Sequence, residues 1–123
     1  MRLKLEGKIL TAVCGALSLA GMLSCSESKP KSDAELGLTP PQASGRRLYD
    51  AHCLSCHAAY SRSGKNGPSL QGMFRKPYMR SGIPANDERV KDVILLGRPM
   101  MPAFRNSMSE QEVNELLAYL HTL

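Results

Sequence analysis

Five consecutive residues, Cys53-Leu54-Ser55-Cys56-His57, carry the most specific pattern in the sequence. The spacing C-x-x-C-H is typical of covalent haem attachment. On a helix, positions i, i+3 and i+4 lie on one face, so both sulfurs and the imidazole can meet a porphyrin from the same side. We therefore predict one haem c, bound through the thiols of Cys53 and Cys56, with His57 as a ligand of its iron.

Two other kinds of site also use cysteines three residues apart. A thioredoxin-like dithiol needs a βαβ context, and no stretch of the chain alternates convincingly as a strand. Half of a zinc site would need two further ligands at matching spacing, and His52 and His121 are the only other histidines. The histidine directly after Cys56 favours haem over both alternatives.

The sixth ligand of an iron that only shuttles electrons is commonly a methionine thioether when a high potential is needed. Five methionines follow the N-terminal region: Met73, Met79, Met100, Met101 and Met108. Met100 and Met101 lie in a loop bounded by prolines, far enough from His57 in sequence to reach the other haem face. Because Met101 precedes Pro102, its backbone is biased toward an extended conformation. We favour Met101 as the sixth ligand, with Met100 as the alternative.

Residues 1–24 are predicted to be an export signal of a lipoprotein. Arg2, Lys4 and Lys8 give a basic start, and a mostly apolar run follows. This run is shorter than the about 20 apolar residues that a membrane span needs. It ends in Met22-Leu23-Ser24-Cys25, which resembles a bacterial lipidation signal, so we expect lipid on Cys25. Ordinary cleavage nearby and an uncleaved anchor are the alternatives.

Residues 25–42 are predicted to be a flexible, lipid-anchored linker. They are rich in Ser, Lys and Pro, show no apolar periodicity and contain Pro40-Pro41 near their end. The remaining segment, 43–123, forms one domain of a size at which a polypeptide core alone gives marginal stability. The chain has no tryptophan and two phenylalanines, so a buried macrocycle is expected to complete the core.

Capping residues and apolar spacing predict an all-α fold with about three to four helices. The last helix is expected to start at Ser109, with Glu112 completing a capping box and Met108 and Val113 forming a hydrophobic staple. Its apolar face consists of Val113, Leu116, Leu117, Leu120 and Leu123.

Two further helices are expected upstream. One runs from about Asp87 to Leu96, with Asn86 as its cap and Gly97 at its end. The other runs from about Ser44 through Tyr49 into the cysteine motif. The segments between the helices contain prolines and glycines and are predicted to be loops.

Five features between residues 43 and 123 occur in a characteristic order: Gly45 with Tyr49, Cys53-Leu54-Ser55-Cys56-His57, Asn66-Gly67-Pro68-Ser69-Leu70, Met101-Pro102-Ala103-Phe104 and Leu116-Leu117-Ala118-Tyr119-Leu120. Together they resemble the class I cytochrome c family. The resemblance implies the cytochrome c fold, in which helices wrap around one covalently bound haem.

The resemblance also implies specific contacts. The first and last helices should cross at Gly45, and the carbonyl of Pro68 should accept a hydrogen bond from His57. Met101 matches the distal ligand of the family. Tyr78 and Arg75 are candidates for contact with a haem propionate, or else ordinary surface residues.

These features predict a single-electron carrier with His57 and Met101 as axial ligands, held to a membrane on the periplasmic or other extracytoplasmic side. An enzyme is not expected, because a peroxidase or substrate oxidase needs an open or displaceable sixth position. The alternative is a haem-bearing electron-transfer subunit of a larger respiratory or substrate-oxidising complex.

The partners expected from composition are proteins and a lipid bilayer. The formal charge is +5, and basic residues concentrate in the first half of the domain, at Arg46, Arg47, Arg62, Lys65, Arg75, Lys76 and Arg80. We expect a basic face that meets an acidic redox partner. Export argues against binding of nucleic acid, and the protein is expected to be monomeric outside a complex.

Overall fold

The computed structural model describes residues 30–123, which contain three α-helices: α1 (Pro40–His52), α2 (Asp87–Leu96) and α3 (Glu110–Leu120). A short 3-10 turn, Met73–Arg75, lies between α1 and α2. No strand forms in residues 30–123, and the predicted all-α fold is confirmed. The predicted signal and Cys25 lie outside the described residues. None of the helices described is long and apolar enough to cross a membrane.

α1 begins before the expected boundary of the domain at residue 43. Pro40 and Pro41, which we interpreted as part of a flexible linker, occupy the first turn of α1, where a missing backbone N–H is tolerated. The side chain of Gln42 accepts a hydrogen bond from the Thr39 N–H at 2.9 Å. The linker expected over 25–42 is therefore wrong at its C-terminal end, and residues 31–123 form one compact unit.

The crossing of α1 and α3 depends on Gly45. A Cβ at this position would overlap the backbone carbonyl of Glu115 and would lie 2.9 Å from the Cβ of Tyr119, both on α3. One turn further along α1, the ring of Tyr49 packs against Tyr119 with 5.4 Å between ring centroids. The expected crossing is therefore present, and it requires a residue without a side chain at 45.

The caps of α2 and α3 are the predicted ones. The Asn86 side chain accepts from the Arg89 N–H at 3.0 Å, and Gly97 ends α2 with a φ of 73°. At the start of α3, the Ser109 hydroxyl accepts from the Glu112 N–H at 3.3 Å, and the Glu112 carboxylate accepts from the Ser109 N–H at 2.7 Å. The capping box is confirmed.

The long segment between α1 and α2 is hydrogen-bonded to Leu123, which follows α3. The backbone N–H of Gly72 and the guanidinium of Arg75 both donate to the carbonyl oxygen of Leu123, at 2.9 and 2.8 Å. Leu123 belongs to the buried core, as do Met108 and Val113, the two members of the predicted staple. The helices and this segment together enclose the site described next.

Candidate haem site

A cavity of about 470 Å³ lies between the end of α1, one side of α2 and α3, and the loops that connect them. Pockets of this size enclose sizeable organic ligands. The helices contribute apolar walls: Val90, Val93, Ile94, Leu116 and Leu120. The same cavity is lined by Cys53, Cys56, His57, Pro68 and Met101. It therefore brings together every predicted site residue in the described part of the chain.

The ring and backbone of His57 are held by three hydrogen bonds. Its Nδ1 lies 2.8 Å from the carbonyl oxygen of Pro68. A carbonyl can only accept, so Nδ1 carries the proton and Nε2 is the nitrogen available to a metal. The His57 N–H donates to the Cys53 carbonyl at 2.8 Å, and its own carbonyl accepts from the Tyr49 hydroxyl at 2.7 Å. The imidazole is thus oriented by its surroundings.

The backbone at Gly67 touches the His57 ring. A Cβ at Gly67 would lie 2.6 Å from Cε1 and 3.0 Å from Nε2 of that ring. The Gly67 N–H donates to the Cys56 carbonyl at 2.8 Å, which fixes the loop against the cysteine motif. Close approach, rather than an unusual backbone conformation, explains the glycine in Asn66-Gly67-Pro68.

The two cysteines lie in the turn that continues from α1. Cys53 is the C-cap of α1, and the Cys56 N–H donates to its carbonyl at 3.0 Å. Cys53 is buried and Cys56 is half-buried, and the two are not joined in a disulfide. Their positions on the wall of one cavity suit attachment to a single ligand.

The environment of Cys53 disfavours the two alternative readings of the motif. Burial, with a smaller contribution from Cys56, raises the pKa of the Cys53 thiol to about 11. The cysteines of redox-active dithiols have lowered pKa values instead. Within residues 30–123, no group of three or more His, Cys, Asp or Glu side chains is placed to hold a metal ion.

The loop after α2 presents Met101 to the cavity. Arg98 and Met101 are joined by two backbone hydrogen bonds, each 2.9 Å long, that close a tight turn. Met101 is half-buried and packs against the core, whereas the side chain of Met100 is 88% exposed. Both methionines line the cavity.

Two further methionines line the cavity from the segment before α2. Met73 and Met79 are partly buried and pack against the core. The sequence indicated no position for either of them, because neither lies in a recognisable motif. Their thioethers add to the apolar wall around the site.

Comparison with known proteins identifies the family. Residues 40–120 match the family described as Cytochrome C oxidase, cbb3-type, subunit III. The chain is 28% identical over 88 residues to a protein named Cytochrome c6-like from Nostoc sp., covering 68% of this chain and 76% of the relative. It is 33% identical over 98 residues to Cytochrome c-554(547) from Halothiobacillus neapolitanus, covering 66% and 94% of the two chains.

This chain belongs to the cytochrome c family. The predicted family is confirmed, and the chain is a small haem-based electron carrier whose cofactor is covalently bound haem c with iron. The cavity fits this cofactor, because it combines two thiols, an imidazole with a free Nε2 and apolar walls.

Similar sequence also occurs inside a larger protein. The cytochrome is 33% identical over 87 residues to Dihydro-heme d1 dehydrogenase from Pseudomonas aeruginosa, covering 65% of this chain and 15% of the relative. A domain of this kind is therefore used both alone and as part of a longer chain.

The polar part of the cavity wall is basic. Lys76, Arg80 and Arg98 line it, together with Tyr78, and none of the lining residues is acidic. Arg75, one of the two candidates for propionate contact, instead donates to the Leu123 carbonyl and does not line the cavity. Negatively charged propionates would meet complementary charge at this rim.

Proposed function

We propose that the chain is a single-electron carrier tethered to a membrane outside the cytoplasm, with His57 and Met101 as the axial ligands of its haem. The observation that carries the proposal is the single cavity lined by both cysteines, His57 and Met101. Haem iron supplies the one-electron chemistry by alternating between its ferric and ferrous states. The polypeptide supplies the ligands, holds them in position and excludes water.

The hydrogen bonds of His57 support its assignment as one axial ligand. The bond from Nδ1 to Pro68 fixes the tautomer and the ring plane, and it makes Nε2 a better electron donor. Tyr49 and Cys53 hold the His57 backbone on either side of its side chain. A ligand that is already oriented needs little movement when the charge of the site changes, and this favours rapid electron exchange.

The position of Met101 supports its assignment as the other axial ligand. Its backbone is held by Arg98 and its side chain is half-buried against the core, while the thioether of Met100 lies mostly in solvent. A thioether favours ferrous iron relative to a second nitrogen ligand, so the pair His57 and Met101 gives a high potential.

Visible spectroscopy of single-methionine variants tests the axial pair. Met101→Ala should abolish the thioether-to-iron charge-transfer band of the ferric protein at the red edge of the visible spectrum. Met100→Ala and Met79→Ala, which also remove a cavity-lining thioether, should keep it. Loss of the band in Met100→Ala alone, or a high-spin, water-ligated spectrum of the unaltered protein, would refute the assignment.

The basic rim supports an acidic redox partner. Lys76, Arg80 and Arg98 line the cavity and make no ion pair within residues 30–123, so the positive charge that the haem propionates leave unneutralised is available to a partner. Lys76→Gln with Arg80→Gln should slow electron exchange with an acidic partner at low ionic strength. Arg89→Gln, which removes a charge that is paired with Asp92 on α2, should change the rate little.

The membrane tether rests on Cys25 and on the basic and apolar segment before it. Acyl chains stabilise membrane binding by about 0.8 kcal/mol per buried CH₂, and two or more chains are needed for stable anchoring. Mass spectrometry of the purified protein should find a lipid-modified cysteine at residue 25. Cys25→Ser should lose this lipid, and the variant should leave the membrane fraction once the apolar segment before residue 25 is removed; an unmodified residue 25 in the unaltered protein would refute the tether.

A second function is that of a haem subunit in a larger redox complex. The similarity to part of a much longer dehydrogenase favours it, because a related domain is built into that protein. Co-purification from native membranes separates the two functions. A stoichiometric partner that resists high salt indicates a subunit, whereas a partner that dissociates in salt indicates a carrier.

A further inference from the structure

Residues 31–38 form an arm that precedes α1 and packs against it. The arm lies outside the region 40–120 that matches the cytochrome family, yet it belongs to the compact unit 31–123. The sequence predicted a flexible linker here. These eight residues are therefore folded onto the surface of the domain.

The arm has its own internal hydrogen bonds. The Glu35 carboxylate accepts from both the N–H and the hydroxyl of Ser32, at 2.7 and 2.6 Å. The N–H groups of Leu36 and Leu38 donate to the carbonyls of Ser32 and Asp33, at 3.1 and 3.0 Å. The hydrogen bonds from Ser32 hold the pKa of the Glu35 carboxyl below its usual value. The arm thus adopts a defined turn.

One α1 side chain, Arg46, joins the arm to the domain. Its Nη1 lies 2.7 Å from the Asp33 carboxylate, and its Nη2 donates to the Lys31 carbonyl at 2.7 Å. The Arg46 side chain is only 15% exposed, so its charge-assisted hydrogen bond to Asp33 is partly shielded from water. At the other end of the arm, Leu38 packs against the core.

We infer that this arm, held by Arg46, fixes the point at which the membrane tether leaves the cytochrome and so keeps the haem domain close to the bilayer. The inference rests on the proposed lipid anchor at Cys25. Lys31 is six positions after Cys25 in the sequence, so the two residues are at most about 20 Å apart when this segment is fully extended. If the arm were released, the tether would extend to Pro40, fifteen positions after Cys25, with a reach of at most about 50 Å.

The short tether between Cys25 and Lys31 determines which redox partners the haem domain can contact. A domain held within about 20 Å of a bilayer meets acidic partners that are themselves bound to the same membrane. Partners that need the cytochrome to extend far from the surface are disfavoured. The arm therefore acts on partner choice through distance, and it leaves the haem site unchanged.

Limited proteolysis with a lysine-specific protease tests whether the arm is docked, in haem-loaded protein with or without lipid. The Lys31–Ser32 bond is a direct probe, because Arg46 binds the Lys31 carbonyl and the Lys29–Pro30 bond resists such proteases. Arg46→Met and Asp33→Ala should each speed cleavage at Lys31 by about tenfold or more. Asp33→Ala leaves the sequence of α1 unchanged, and equal cleavage at Lys65 in the same digest shows that neither variant acts by unfolding the domain.

The matched control is Arg47→Met, which removes a neighbouring charge whose guanidinium donates to Ser44. It should leave cleavage at Lys31 unchanged, and cleavage at Lys65 in the same digest should be equal in all variants. Cleavage at Lys31 that is equally fast in the unaltered protein, Arg46→Met and Asp33→Ala overturns the docked arm. This result does not depend on whether Cys25 carries lipid.

Neutron reflectometry of the lipidated protein on a supported bilayer tests the reach. Arg46→Met and Asp33→Ala should move the mean position of the domain further from the bilayer than in the unaltered protein and in Arg47→Met. Equal positions in all four proteins overturn the effect on reach. Failure of the protein to bind the bilayer at all refutes the lipid anchor instead.

Discussion

The Nδ1 of His57 lies 2.8 Å from the carbonyl oxygen of Pro68, and the loop can approach this closely because the preceding residue, Gly67, has no side chain. The Gly67 N–H also donates to the carbonyl of Cys56, next to His57. The loop therefore contacts both the backbone and the ring of the cysteine-histidine motif. A substitution at Gly67 should move the His57 ring and so alter the reduction potential of the iron.

Gly67→Ala should displace the His57 ring and weaken its bond to Pro68. When this hydrogen bond is weaker, the imidazole donates less electron density to the iron, which disfavours the ferric state. We expect the midpoint potential to rise by roughly 20–60 mV, equivalent to about 0.5–1.4 kcal/mol. Protein-film voltammetry measures the potential, and the ferric electron paramagnetic resonance spectrum should show altered g values.

Gly82→Ala is the control for this prediction. Gly82 has a φ of 79°, and a Cβ there would meet nothing within 4 Å. The variant should lose about 1 kcal/mol of unfolding free energy from backbone strain and keep its potential. Equal potentials in the Gly67→Ala and unaltered proteins would contradict the proposed path through His57.

Gly45→Ala should destabilise the protein, although alanine is the better helix former. In an exposed helix the change would stabilise by about 1 kcal/mol. At Gly45 the new Cβ would overlap the Glu115 carbonyl on α3, and neither backbone can yield cheaply. We expect a loss of about 2–4 kcal/mol in chemical denaturation; any gain in stability would show that the helices do not cross here.

The sequence predicted those features whose signals are local. Asn86 and Gly97 delimit α2, and Ser109 with Glu112 starts α3, because each cap bonds to a residue within four positions. The cysteine-histidine motif is equally local and identified the haem site. The helical character of these segments and the cofactor therefore followed from short stretches of sequence.

Features that depend on distant partners were not predictable. The start of α1 was placed too late because Pro40-Pro41 occurs in linkers as well as in first helical turns, and the partner that holds the arm, Arg46, is thirteen residues from Asp33. Similarly, His121 stacks on Phe74 with 3.8 Å between ring centroids and lies 2.6 Å from the Asp87 carboxylate. No sequence pattern indicates contacts over such separations.

Glu112→Gln should make stability less sensitive to acid. Hydrogen bonds from the backbone N–H and hydroxyl of Ser109 hold the pKa of the Glu112 carboxyl below its usual value of 4.5. A lowered pKa in the folded state adds stability that is present above pH 4.5 and is lost as the pH falls through the lower, folded value.

Thermal unfolding between pH 6 and pH 3 measures this effect. The unfolding temperature of the unaltered protein should exceed that of Glu112→Gln at pH 6, and this difference should disappear as the pH falls below about 4.5. Glu88→Gln is the control, since Glu88 lies in the first turn of α2 and makes no hydrogen bond or ion pair within residues 30–123. Parallel acid curves for the unaltered protein and Glu112→Gln would refute the capping role of the carboxylate.

Tyr49→Phe should weaken the fold at neutral pH and protect it from alkali. Without the Tyr49 hydroxyl, the His57 carbonyl loses its 2.7 Å donor, which costs about 1–2 kcal/mol. Burial raises the pKa of Tyr49 to about 12. A raised pKa in the folded state gives stability that is complete below the unfolded value of about 10 and is lost as the pH rises toward 12.

Denaturant titrations from pH 7 to pH 12 should therefore show that the unfolding free energies of the unaltered protein and Tyr49→Phe converge as the pH rises. The unaltered protein starts more stable than Tyr49→Phe and declines more steeply above about pH 10, because only its unfolded state can ionise residue 49 there. Tyr78→Phe removes an exposed hydroxyl that makes no hydrogen bond within residues 30–123 and should follow the curve of the unaltered protein. If the curve for Tyr49→Phe stays parallel to that of the unaltered protein, the Tyr49 hydroxyl is not shielded from water. Equal stabilities at pH 7 would mean that another donor holds the His57 carbonyl.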